Sequence, residues 1–397
     1  MNTKKFRLAD VILSVICVVF VAEAAAPVAS IGNSQYFWWI FMILAFLLPY
    51  GLIAAELDAV LITDEKNQRY ATGFAFTDGA VLVTRKSAFL FTDSRYIEAA
   101  SMTVADNITL RLFGAGKRLS QLIKTELDNE HVERLGGEEG TLPHGQYLAY
   151  ENLLGRKLIP SQHIFSSLRA SKTAEEQEYM RRAQAIAELA LSDVLQIIKP
   201  GVSERDIAAE ITYRLLKHGG EGNSFDPIAV TGKNSSMPHG VPGDALVQNG
   251  DFVTMDFGCL KYGYCSDMTR TVAVGHASDE MKNVYDTVLR AQLAGIKAAR
   301  AGVTGRSIDK AARDVIADAG YGEYFGHSFG HSLGLDIHEA PPASPATETV
   351  MPVGAVISAE PGIYLPGKFG VRIEDVLILR EDGCENITHA DKNLIIL

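Results

Sequence analysis

Two aspartates, Asp256 and Asp267, flank a single chain reversal in the stretch from Asp251 to Thr271, DFVTMDFGCLKYGYCSDMTRT. The runs VTMDFG and YCSDMTRTV have the β-branched and aromatic content of strands, and Lys261 and Tyr262 occupy the predicted turn. A two-residue loop there would set the carboxylates directly opposite each other, with β-carbons roughly 4.5 to 5.5 Å apart on one face. Two carboxylates that close repel unless a proton or a cation lies between them, and a metal ion is the natural counter-charge. The plainer alternative makes one aspartate a strand-end cap and the other a solvated turn residue, and the hairpin alone does not decide between them.

Two further stretches supply ligand-type residues. HSFGHSLGLDIHE places His327, His331 and His338 among Gly326, Gly330 and Gly334, a glycine density that disfavours a helix and predicts extended backbone. SAEPGIYLPGKFGVRIEDVLIL sets Glu360 and Glu374 on two predicted apolar strands, where acidic side chains need partners. Residues at i and i+2 share a strand face, so a salt bridge between Glu374 and Arg372 is the competing reading, with Asp375 pointing away from both. Asp256, Asp267, His331, Glu360 and Glu374 together make four carboxylates and one imidazole. Such an oxygen-rich set suits a pair of Mn(II), Co(II) or Zn(II) ions roughly 3.5 to 4 Å apart, whereas a structural zinc prefers cysteine and histidine.

The elements that must position these residues follow a repeated order. The run SKTAEEQEYMRRAQAIAELALSDVLQIIKPG predicts a long amphipathic helix, opened by a capping box at Thr173 and Glu176 and stopped at Pro200 and Gly201. Ser203 opens a second helix that runs to Gly219 and Gly220 and buries Ile207, Ile211 and Leu215. After the aspartate hairpin come a helix over 279–300, a GVTG break, a helix over 307–319 and more strands, so the pattern predicts two similar halves. Ahead of them, from Leu57, LDAVLIT and AFLFTD predict strands of a smaller α/β domain, with helices near 118–129 and 145–156. The divisions are thus 1–56, 57–165 and 166–397.

The 397 residues carry a net charge of -11 and no basic block, which argues against a nucleic-acid partner. Four cysteines without CxxC spacing fit free thiols in a reducing compartment. Residues 1–56 differ from the rest. From Val11 to Ile31 and from Gln35 to Ala55 the chain is apolar at membrane-spanning length, with Glu23 and Pro27 interrupting the first run. Lys4, Lys5 and Arg7 precede that run and the Gly32-Asn33 link is uncharged, so a transmembrane hairpin with both ends cytoplasmic is expected. The apolar length exceeds that of a signal peptide.

Taken together, SSLRASKTAEE, MPHG at Met237 to Gly240, MDFG, SDMTRT, GHSLGLDIHE, AEPGIY and VRIEDV resemble the Xaa-Pro peptidase branch of the methionine aminopeptidase, prolidase and creatinase superfamily. The resemblance spans Leu57 to the C-terminus and preserves the family's motif order. It implies an α+β architecture: a pita-bread catalytic domain behind a smaller, creatinase-like N-terminal domain. The helix that ordinarily begins the small domain is missing from this reading, with the apolar stretch from Phe41 to Glu56 in its place. Residues 1–56 resemble the first two helices of an amino-acid permease, too few to form a transport path.

The resemblance further implies Asp256, Asp267, His331, Glu360 and Glu374 as ligands of two divalent ions, Mn(II) foremost, with Asp267 and Glu374 bridging or bidentate. Glu360 would also carry the proton of the attacking water. His239 and His338 would steady the substrate carbonyl, and His327 and Arg372 would line the proline side of the pocket. The implied reaction is attack on the bond before proline by a hydroxide held between the ions, in dipeptides or at the N-terminus of longer peptides. A homodimer is expected, with the catalytic part on the cytoplasmic side and membrane association through residues 1–56. The competing functions are a catalytically silent partner-binding relative, a creatinase-like hydrolase and, from residues 1–56 alone, a membrane-transport component.

Overall fold

The computed structural model describes residues 48–397 apart from residue 115, and these divide between Phe165 and Ser166 into two compact units. The smaller is built on a six-stranded mixed sheet. Its strands run in the order Ile108–Leu112, Ala88–Thr92, Gly79–Thr84, Ala59–Ile62, Leu135–Gly137 and Leu158–Pro160. The apolar runs AVLI, GAVLVT and AFLFT form its buried centre, as continuous hydrophobic strands do when both faces are covered. Helices Leu119–Asn129 and His144–Leu154 add Ile123, Leu127 and Leu154 to the same core.

Most of the predicted membrane hairpin, residues 1–47, lies outside the described residues. Its last turns form a short helix, Leu48–Ala54, which belongs to the smaller unit and fully buries Leu48 and Leu52 there. The stretch from Phe41 to Glu56 therefore does contain a helix that packs at the start of the small unit. Among the described residues no helix is long and apolar enough to cross a membrane.

The larger unit repeats helix, helix, strands. Helix Ala174–Leu195 is closed by the predicted capping box, the Thr173 side chain accepting from the Glu176 amide and the Glu176 carboxylate accepting from the Thr173 amide. Helix Glu204–Lys217 is capped in the same way by Ser203 and Asp206, and it buries Ile207, Ile211 and Leu215. Each such side chain contributes about 1.5 to 3 kcal/mol on burial. The second half places Asp279–Ala298 behind Ser278 and Gly305–Asp318 behind Thr304, so the last helix starts two residues before the predicted Ser307.

The strands between and after these helices carry the chemistry. Ile228–Thr231, Phe252–Phe257 and Met268–Ala273 form one antiparallel sheet. A second, five-stranded sheet runs Glu339–Ala343, Gly330–Ser332, Val356–Ala359, Asp375–Leu379 and Cys384–Asn386. A two-stranded ribbon pairs Gly362–Leu365 with Phe369–Arg372.

The aspartate hairpin differs from the prediction in register. Its tip turns at Tyr262 and Gly263, both with positive φ (52° and 75°), rather than at Lys261 and Tyr262. A two-residue hairpin turn of this kind needs φ > 0 at both central positions, and glycine takes one of them at no steric cost. Asp256 consequently pairs with Thr269, two residues beyond Asp267. The period of two keeps both aspartates on one face, as diagonal rather than direct neighbours.

Candidate metal centre

Asp256, Asp267, His331, Glu360 and Glu374 all line one cavity of about 580 Å³ in the larger unit, as do His239, His327, His338 and Arg372. Asp256 comes from the central strand of the first sheet, and Asp267 from the residue before its edge partner. His331 sits in the middle of Gly330–Ser332. A β-carbon at Gly330 would fall 2.0 Å from the Ser358 carbonyl oxygen, so glycine lets this strand close onto Val356–Ala359. The two glutamates are not within strands as predicted: Glu360 follows Val356–Ala359 directly and Glu374 immediately precedes Asp375–Leu379. Strand ends suit them, because the backbone can turn the carboxylate into the cavity without breaking a ladder in the sheet.

The side-chain geometry is that of a site built to receive positive charge. His331 hydrogen-bonds the Ser332 carbonyl oxygen through Nδ1 at 3.1 Å; a carbonyl only accepts, so Nδ1 carries the hydrogen and Nε2 presents its lone pair. That Nε2 is 3.4 Å from both Asp267 Oδ2 and Glu360 Oε1. Ligand atoms of Asp267, His331 and Glu374 all lie within 4.8 Å of one another. Glu374 Oε2 accepts from the Thr269 hydroxyl at 2.7 Å, and Glu360 Oε1 accepts from the Ser358 hydroxyl at 3.1 Å.

Whether a cation fits can be tested on the unpaired atoms. Asp256 Oδ1, Asp267 Oδ1 and Glu374 Oε1 are all buried and have no hydrogen-bond partner. Buried polar atoms are almost always paired, and orphaned carboxylate oxygens are among the most costly to leave bare. Burial pushes Asp267 and Glu374 well above the usual carboxylate range, reinforced for each by the charges of neighbouring acids. Burial raises Asp256 too, although the Arg372 guanidinium pulls against it. Three converging orphan oxygens with one imidazole lone pair fit divalent cations held by oxygen-rich donors.

Arg372 has a different partner from the one the sequence suggested. Its guanidinium binds Asp256 Oδ2, not Glu374, and also donates to Tyr364 Oη at 2.6 Å, to Thr269 Oγ1 at 3.1 Å and to the Pro238 carbonyl at 3.2 Å. Tyr364 Oη lies 2.9 Å from His327 Nε2, and His327 Nδ1 lies 2.9 Å from the Ser328 carbonyl. A chain of contacts thus runs Asp256, Arg372, Tyr364, His327. Burial lifts the Tyr364 hydroxyl to about 12, which keeps it a neutral donor. His338 stacks edge-on against His331 with ring centroids 4.3 Å apart, and burial followed by the neighbouring His331 lowers its basicity. His239 is exposed at the cavity wall.

Four residues with defined contacts here escape a reading by residue type: Thr269, Ser358, Tyr364 and Arg270. Arg270 is buried between Asp375 at 2.9 Å and the Glu374 carbonyl at 2.6 Å, so it fixes the backbone that carries Glu374. Its place in the run SDMTRT beside Asp267 was the available signal.

Residues 178–381 match metallopeptidase family M24, and residues 52–171 match the creatinase/prolidase N-terminal domain. The chain is 40% identical over 342 residues to an uncharacterised peptidase of Bacillus subtilis, covering 86% of this chain and 96% of that one. It is 36% identical over 344 residues to a Xaa-Pro dipeptidase of Pyrococcus horikoshii, covering 86% and 95%. Among solved structures, a Xaa-Pro dipeptidase from Bacillus anthracis aligns with a TM-score of 0.85 at 40% identity, covering 91% of this chain and 99% of that one. An X-Pro aminopeptidase from Thermotoga maritima aligns at 0.83 and 35%, covering 88% and 100%. Membership in such a family implies divalent metal ions, which the orphan carboxylate oxygens fit. The chain belongs to metallopeptidase family M24, with a pita-bread catalytic unit behind a creatinase-like N-terminal unit.

Proposed function

We propose that this protein is a metal-dependent peptidase that cleaves the Xaa-Pro bond in dipeptides or at the N-terminus of longer peptides. The observation that carries the reading is the convergence of three buried, unpartnered carboxylate oxygens and the His331 lone pair in one cavity. The names of the relatives, Xaa-Pro dipeptidase and X-Pro aminopeptidase, support the choice of bond. Asp256, Asp267, His331, Glu360 and Glu374 would hold two divalent ions, and Mn(II) is favoured by the predominance of carboxylate oxygen. When bound, the ions supply the Lewis acidity that makes water nucleophilic near neutral pH and offsets negative charge developing on the scissile carbonyl.

The chain's own residues do the rest. Glu360, fixed by the Ser358 hydroxyl, takes the proton of the attacking water and delivers one to the departing proline nitrogen. His239 and His338 line the cavity, where their rings can donate to the substrate carbonyl as its oxygen gains charge. His327, held through Tyr364, lines the side that receives proline. A bond before proline has no N–H and a fixed φ, so a cavity that recognises ring shape succeeds where a backbone acceptor has nothing to grip.

The test is a Mn(II)-reconstituted assay of prolyl peptides against alanyl controls of the same length. Cleavage confined to the bond before proline, and lost on chelation, is the expected result; equal cleavage of the alanyl controls contradicts the assignment. A homodimer and a cytoplasmic catalytic unit associated with membrane through the apolar residues ahead of Leu48 complete the proposal. Light scattering checks the first, and complete release of the protein on carbonate extraction would refute the membrane association.

A further inference from the structure

We infer that the Asp309–Arg313 pair on helix Gly305–Asp318 positions His327, and through it sets how tightly the cavity holds the proline side of the substrate. The inference rests on the peptidase reading above and deepens it. His327 belongs to a short loop, residues 325–329, between a 3₁₀ turn over Gly322–Tyr324 and strand Gly330–Ser332. None of the strands among the described residues includes that loop, so no sheet ladder fixes its backbone.

Arg313 fixes it instead. Its guanidinium donates from Nη1 to the Phe325 carbonyl at 3.0 Å and from Nη2 to the His327 carbonyl at 2.7 Å. Nε and Nη2 also reach the two oxygens of Asp309 at 2.7 and 2.9 Å, an i,i+4 pair across one turn of the helix. Asp309 is 1% exposed and accepts in turn from the Phe329 amide at 2.9 Å. Both ends and the middle of the loop are thus tied to two side chains one helical turn apart. The rings repeat the connection: the Arg313 guanidinium lies 4.2 Å from the centroid of Phe325, and Phe325 meets His327 edge-on at 5.1 Å.

The pair could serve stability or position. The Arg313 side chain is 29% exposed, so solvent screens its charge and the ion pair adds little to stability. Four contacts to one carboxylate and two carbonyls use the planar fork of the guanidinium fully, which is the geometry of a clamp. What is clamped has both ring nitrogens engaged: His327 Nδ1 donates to the Ser328 carbonyl, so Nε2 accepts from the Tyr364 hydroxyl. His327 therefore offers the cavity the shape of its ring, and a gap of about 0.5 to 1 Å already forfeits a quarter to a half of a van der Waals contact. Glu360 is held separately, its amide donating to the Phe329 carbonyl at 2.8 Å while Asp309 keeps the Phe329 amide. Replacing Arg313 should thus disturb substrate binding and spare the metal centre.

The experiment compares Arg313→Met and Arg313→Lys with the wild-type full chain, each loaded with Mn(II), on alanyl-proline and alanyl-prolyl-alanine. Arg313→Met should hold as much Mn(II) as the wild type by elemental analysis. Its KM for the better substrate should rise about ten-fold with kcat little changed, the scale of one lost hydrogen bond to a charged group. Arg313→Lys keeps a charge for Asp309 but cannot span both carbonyls, so its KM should fall between the two. A pair that only stabilises the fold would lower Tm in both variants and leave KM unchanged, which overturns the inference. Should Arg313→Met not fold, an unchanged KM in Arg313→Lys overturns it equally. Loss of Mn(II) from a folded variant also overturns it, because the pair would then serve the metal centre. A wild-type chain that binds Mn(II) and cleaves neither substrate overturns the peptidase reading and this inference with it.

Discussion

At the scale of single residues, the centre depends on atoms whose needs are unmet by the protein. Asp267 Oδ1 and Glu374 Oε1 are buried without donors, while the second oxygen of Glu374 is satisfied by Thr269. One oxygen is thus held in place and the other left open. The histidines divide along the same line. His331 is anchored through Nδ1 and faces two acids, whereas His239 stands exposed on the wall with no part in the carboxylate cluster. His239→Ala should therefore retain the metal content of the wild type, measured by elemental analysis, while losing about 10²- to 10³-fold in kcat, the effect of removing one donor to a developing oxyanion. Loss of metal in that variant would reassign His239 to the ligand set. Residue type alone made the acids and histidines conspicuous. It could not expose Tyr364, because a tyrosine in an apolar run reads as core until its hydroxyl is seen between Arg372 and His327.

At the scale of elements, the loop that presents His331 and His338 is tied down by a buried ion cluster. Arg169 binds both Asp336 and Glu339 at 2.5 Å, Lys172 binds Glu339 at 2.8 Å, and Glu339 accepts from the Asp336 amide at 3.1 Å. Burial alone would raise the Glu339 carboxyl, but Lys172 and Arg169 hold it below its ordinary range. A depressed folded pKa gives stability that is fully present above the unfolded value of 4.5 and lost as pH falls through the folded one. Glu339→Gln should cost about 3 to 5 kcal/mol near neutral pH, since buried Lys172 loses its partner and Arg169 keeps only Asp336, and should flatten the acid limb of a plot of stability against pH. Denaturant unfolding at pH 7 and at pH 3 checks both; an acid limb as steep as the wild type's would show that other carboxylates set it. The helices were legible because caps and stops are local: Thr173 with Glu176 and Ser203 with Asp206 each close a box within four residues. Strand register was less so. The two-residue slip of the aspartate hairpin follows from Gly263 taking a positive-φ position, which competes with the apparent symmetry of Asp256 and Asp267 about Lys261 and Tyr262.

At the scale of the molecule, the repeated order of helix, helix and strands gives each half of the larger unit its own core and leaves the acids at the strand ends. That repetition is visible in the sequence as two pairs of capped helices, each followed by β-branched runs. The partner of Arg372 is not, because Asp256 lies 116 positions away while Glu374 is only two. Long-range pairing is a property of the closed fold, and local spacing favours the wrong neighbour. The same closure makes the orphan oxygens a collective demand for positive charge that no single segment reveals. Metal stoichiometry tests this most directly, by elemental analysis of the full chain dialysed against Mn(II), beside Asp256→Asn and Glu374→Gln. The account predicts two ions per chain in the wild type and a loss of bound metal in both variants, with their circular dichroism unchanged. Variants that fold and hold as much Mn(II) as the wild type would contradict it.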